Sequence, residues 1–106
     1  MKHKNIKTIP QTLNKRGILA QNILDASHAT IKCLSVEEND AIPKHDVNVH
    51  VTFIVLSGHG TISIGDECFD VKAEDVVLCP PNTPMSIQAK TLLRFLNIKT
   101  PGMASS

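Results

Sequence analysis

The chain has 106 residues, 42% of them hydrophobic, and a formal charge of +1 at neutral pH. That length carries one domain around one core, and the near balance of charge excludes a global field that would draw nucleic acid or an anionic membrane. Neither Trp nor Tyr occurs and Phe occurs three times, which disfavours recognition of single-stranded nucleic acid or sugars by ring stacking.

Lys2, Lys4, Lys7, Lys15 and Arg16 all precede the first acidic residue, Asp25. This basic quarter reads as a solvated terminus, and it is the only feature of the sequence that hints at an anionic partner, which phosphate binding with Lys15 and Arg16 replaced would test. Cys33, Cys68 and Cys79 have no CxxC spacing and read as free thiols in a reducing compartment, by default the cytoplasm. No apolar stretch is long enough to span a bilayer, and "MKHKNIKTIPQ" lacks the apolar centre of a secretory signal.

In chain order, "QTLNKRGILAQNIL" fits either a short helix or an edge strand broken at Gly17, with strand preferred. "ATIKCLSV" is predicted as a strand and "EENDAIPKH" as a loop. "VNVHVTFIVL" is predicted as the longest strand, followed by the turn "SGHG", the strand "TISI" and a hairpin through "GDE" onto "CFDV". "KAED" leads to the strand "VVLC". "PPNTP" is a loop, because proline has no amide hydrogen to give to a central ladder. "MSIQA" and "TLLRFLNIK" complete the strands, and "PGMASS" reads as a flexible tail. These divide the chain into an N-terminal segment, 1–28, that packs on or extends a barrel, the barrel itself at 29–100, and a tail at 101–106.

Side chains alternate between faces along a strand. From position 45 the odd residues are His45, Val47, Val49, Val51, Phe53 and Val55, which marks that side as interior. The even residues begin with Asp46, Asn48, His50 and Thr52, so His50 points away from His45. His59 falls in the turn beyond. Ile54 and Leu56 make the outer side apolar near the strand's end, as expected where a second subunit or the N-terminal segment covers it.

The segments "IPKHDVNVHVTFIVLSGHGTISIG" and "AEDVVLCPPNTPMSI" resemble the two motifs of the small single-domain cupins. Gly58 and Gly65 stand at the family's turn positions, Glu74 replaces a usual Gly, and Asp75, Pro80, Pro81 and Pro84 keep their places. The resemblance covers about residues 29 to 100. It implies an all-β fold, a jelly-roll or double-stranded β-helix barrel, with a short N-terminal strand or helix segment.

Cupin enzymes hold a transition metal with a His-x-His pair, a Glu and a later His. Carried over by position, these fall on His45, Val47, Val51 and Met85, so three of four ligand positions are apolar. A first-row divalent ion needs about three N, O or thiolate donors, so no cofactor is expected. His45, Cys79 and Met85 would form a soft set suited to Cu(I), a weaker alternative to ordinary core packing.

The reading that follows is a metal-free, non-enzymatic cupin. It would bind a small apolar molecule in a cavity lined by His45, Val47, Val51, Phe53, Cys79 and Met85, or act as a homodimeric module. The alternative is an isomerase- or oxygenase-like cupin enzyme with an altered or metal-free site that uses His45 as base or ligand. A third class is a regulatory module acting through a separate chain. Neither nucleic acid nor membrane is an expected partner.

Overall fold

Ten strands follow a short 3-10 turn at Ile6–Thr8 in the computed structural model, which describes residues 3–101. They are β1 (Thr12–Leu13), β2 (Leu19–Ala26), β3 (Ala29–Val36), β4 (Ala41–His45), β5 (His50–Ser57), β6 (Gly60–Ile64), β7 (Glu67–Val71), β8 (Val76–Cys79), β9 (Met85–Ala89) and β10 (Leu93–Thr100). Every pairing is antiparallel, in a six-stranded sheet ordered β1-β2-β3-β10-β5-β8 and a four-stranded sheet ordered β4-β9-β6-β7. Among the described residues no helix is long and apolar enough to cross a membrane.

Alternation along the strands builds the core between the sheets. Leu34, Val36, Val51, Phe53, Val55, Leu93 and Phe95 come from the large sheet, and Ile42, Ile62, Ile64, Val71, Met85, Ile87 and Ala89 from the small one. Each large apolar side chain buried in this way contributes about 1.5–3 kcal/mol before the entropy of ordering it is counted. The Phe53 and Phe95 rings meet edge to face at the centre, with centroids 5.7 Å apart.

The stretch preferred as a strand broken at Gly17 is β1 and β2, joined by a turn in which Gly17 has φ +77°. The side-chain oxygen of Asn14 accepts hydrogen bonds from the Arg16 and Ile18 amides there, both at 2.9 Å. β2 is a full ladder strand beside β3, so the N-terminal segment extends the sheet. Of the expected tail, residues 102–106 lie outside the described residues.

Two sequence expectations need correction. "EENDAIPKH" is not all loop, because Ala41–His45 forms β4. Only Ile42 of this strand is buried, and Pro43 lacks an amide hydrogen, so neither alternation nor propensity announces it. It is tolerated because β4 is an edge of the small sheet, with its register irregular between Ile42 and His45. Nor does one strand run from Val47 to Leu56. The chain leaves the small sheet at His45 and joins the large one at His50, crossing at residues 46–49, where the Asn82 amide donates to the Val47 carbonyl at 2.7 Å. Val47 and Val49 still pack against the core, so odd positions keep facing inward across the break.

The turn at 72–75 explains the exchange of Gly for Glu74. Glu74 has φ +75°, and its amide donates to the Val55 carbonyl at 2.8 Å. A side chain in this left-handed region costs about 1–2 kcal/mol, partly offset by the greater freedom glycine has when unfolded. Glu74→Gly is therefore expected to stabilise the protein by roughly 1 kcal/mol, read as a higher urea midpoint at unchanged slope.

Candidate functional site

The six residues assigned to a cavity do not share one environment. Val51, Phe53, Cys79 and Met85 are each at most 2% exposed and belong to one continuous packed core. Val47 is half-buried where the 46–49 crossing covers the same end of the barrel. His45 is also half-buried, opposite Met85 in the β4–β9 register. Its Nδ1 lies 2.9 Å from the Pro43 carbonyl. A carbonyl can only accept, so Nδ1 carries the proton in this contact, and in the neutral imidazole the lone pair is then on Nε2.

A cupin metal does not fit these residues. The positions that the resemblance assigns to ligands bring one imidazole together with Val47, Val51 and Met85. Among the described residues no three His, Cys, Asp or Glu side chains form a group able to hold a metal ion. Burial pushes the Cys79 thiol above its usual pKa, and its Sγ is directed at the Pro80 and Thr83 carbonyls, 3.5 Å from each. Such a thiol stays protonated and is a poor ligand or nucleophile.

Polar chemistry gathers instead on the concave side of the large sheet. Along β10, Leu93 and Phe95 face the core, and Asn97 and Lys99 share their parity. Along β3, Leu34 and Val36 face the core, and Thr30 and Lys32 share theirs. Register places Asn97 opposite Lys32 and Lys99 opposite Thr30, while Asn22 and Asp25 of β2 stand across from Lys32 and Thr30. One inner face thus changes from apolar to polar along its length.

The polar end forms a recess of about 460 Å³ lined by Asn22, Leu24, Asp25, Thr30, Lys32, Asn97 and Lys99. Thr30 and Lys99 also line a neighbouring recess of about 400 Å³, which reaches Val49 in the crossing. Partial burial lowers the pKa of the Lys99 ammonium, and the charges of Lys32 and Arg16 lower it further.

Sequence reasoning missed this group because "TIKCLSV" and "FLNIK" were read as strands without sorting their faces. Counting by twos from Leu34 or Phe95 reaches Lys32 or Lys99, the test already applied at residues 45–56.

No protein-family model matches the chain. It is 27% identical over 86 residues to an uncharacterized protein of Methanocaldococcus jannaschii, an alignment covering 78% of this chain and 74% of that one. Among solved structures, an RmlC-like cupin from Shewanella frigidimarina superposes with a TM-score of 0.88 at 11% identity, covering 95% of this chain and 91% of the other. A predicted oxalate decarboxylase from Thermotoga maritima gives 0.81 at 17% identity, covering 92% and 96%. At such identities the likeness speaks to architecture, and together with the two-sheet topology it gives one conclusion: this chain has the fold of a small cupin domain, the double-stranded β-helix.

Proposed function

We propose that this protein is a non-enzymatic, metal-free binding module that takes a small molecule at the concave recess of its large sheet. The observation carrying the proposal is the switch in one inner face from Leu34, Val36, Leu93 and Phe95 to Thr30, Lys32, Asn97 and Lys99. Convergent polar groups beside an apolar wall are the usual make-up of a small-molecule site. The apolar-ligand reading loses its support where Phe53 and Met85 fill the barrel. The enzyme alternative retains His45, whose Nε2 lone pair is its one asset.

The test has two parts. Elemental analysis of untagged protein never exposed to chelator is expected to find far less than one transition metal per chain; a stoichiometric metal lost in His45→Ala would overturn the metal-free reading. A thermal-shift screen of small metabolites is expected to give hits that disappear in Asn97→Leu. A ligand at a hundred times its Kd adds about 2.7 kcal/mol, or roughly 10 °C or more for a domain of this size. Hits unaffected by Asn97→Leu would move the site elsewhere.

A second copy of the chain is the macromolecular partner we propose. Val76, Ile54 and Leu96 lie in register across the outer face of the large sheet, as do Leu78, Thr52 and Ile98 in the next row. Val76 and Leu78 are 57% and 68% exposed, on an edge strand that pairs only with β5. The Gln21 side chain donates to the Ile6 and Ile9 carbonyls and fastens the N-terminal segment at the opposite, β2 end of that face. An apolar face continuing to an open edge suits two-fold pairing. Free Cys33, Cys68 and Cys79 are in keeping with a cytoplasmic setting.

A further inference from the structure

We propose that the recess selects oxyanions, a carboxylate or phosphate group of its ligand being held between Lys32 and Lys99. The inference rests on the recess being the binding site and adds the class of molecule that it takes. Two observations carry it. Lys32 and Lys99 line one recess from adjacent strands, two residues apart in register. Asn22, Thr30 and Asn97 supply amide and hydroxyl donors on the same lining.

Among the described residues neither lysine is held in an ion pair. Among the described residues the ion pairs are Lys72–Asp75 and Lys90–Asp70, both away from the recess. Asp25 shares the lining, yet it makes no ion pair with Lys32, Lys99 or Arg16. Burial, and after it the neighbouring positive charge of Lys32, disfavours the charged form of Lys99 in the empty protein. An anion placed between the two lysines removes that cost and gains charge-assisted hydrogen bonds. Inorganic phosphate and a small dicarboxylate present the same oxygen chemistry, so comparing them asks which headgroup the spacing fits.

The experiment is a titration of the full chain with phosphate and, separately, malonate, at constant ionic strength, followed by amide chemical shifts. Saturable shifts at Thr30, Lys32, Asn97 and Lys99 are expected, with apparent affinity at least about tenfold weaker in Lys32→Met and in Lys99→Met. Arg16→Gln weakens it less, Asp25→Asn strengthens it, and Lys44→Met, on the exposed edge of the other sheet, leaves it unchanged. Lys99→Met alone is expected to raise the thermal midpoint without ligand, because it removes the repelled charge, so a loss of binding there cannot be blamed on unfolding.

Absence of saturable shifts with both anions, or shifts equally sensitive to Lys44→Met, would overturn the inference. If neutral compounds bind and are lost in Asn97→Leu while neither anion binds, oxyanion selectivity fails and the recess stands as a binding site. If anions bind but the shifts fall on other strands, both fail.

Discussion

Gly58→Ala lowers the thermal midpoint by about 15–30 °C, a large loss for one added methyl group. Gly58 has φ +90°, and a Cβ there would lie 2.0 Å from the Leu92 carbonyl oxygen and 2.9 Å from its carbon. The left-handed backbone costs about 1–2 kcal/mol for a side chain and overpacking about 1–3 kcal/mol more. The obstacle cannot easily withdraw. The His59 carbonyl accepts from the Lys90 and Thr91 amides, and the His59 amide donates to the Thr91 hydroxyl. Leu93, fully buried, starts β10 immediately afterwards. Gly17→Ala separates the two causes, since its φ is +77° with no atom within 4 Å of the added Cβ. It should lose only the backbone part, and equal losses in melting curves would show that the close approach is not the cause.

Phe53→Ala destabilises the protein by about 3–5 kcal/mol, read from urea unfolding. Phe53 is fully buried, packs edge to face on Phe95, and lies in the strand next to β10. Removing it forfeits transfer energy and leaves a hole walled by ladder strands that cannot collapse into it. The aromatic pair adds about 0.5–1.5 kcal/mol, so Phe53→Ala combined with Phe95→Ala should cost less than the sum of the two. The cavity would be dry and would admit a small apolar probe such as benzene. Uptake of such a probe by the unmodified protein would return the packed interior to contention as a binding site.

How much of this was legible beforehand depends on which signal each residue carried. "VVLC" and "MSIQA" match β8 and β9, where burial alternates along the strand, and "ATIKCLSV" matches β3 through its β-branched apolar content, its last four residues all being buried. The cupin turns were legible at Gly58 and Gly65, whose φ values of +90° and +59° require what glycine provides. β4 was hidden because an edge strand needs only one buried side chain, and Ile42 beside Pro43 gives no period. The 46–49 crossing was hidden for the opposite reason, since Val47 and Val49 keep the parity of a strand while the backbone leaves the ladder. For the recess, parity counted along β3 and β10 would have put Lys32 and Lys99 on the inner face, but it was not applied there, and only pairing of the two strands brings them together. That pairing joins residues from 57 (Leu93 and Val36) to 69 (Lys99 and Thr30) positions apart and has no local signature.

The position of β10 between β3 and β5 also bears on how the molecule comes to be folded. Until Leu93–Thr100 is available, the large sheet is two unconnected pieces, the β1-β2-β3 meander and the β5-β8 pair, each with a long unpaired edge. As the chain emerges from the ribosome, local hairpins such as β2–β3 and β6–β7 can close early. The barrel itself must wait for its final strand, which pays the loop-closure entropy of its most distant contacts last. During that interval the exposed edges of β3 and β5 are the sites at which one nascent chain can pair with another. Aggregation of this protein on rapid expression should therefore be governed less by its finished surface than by the time spent waiting for eight residues.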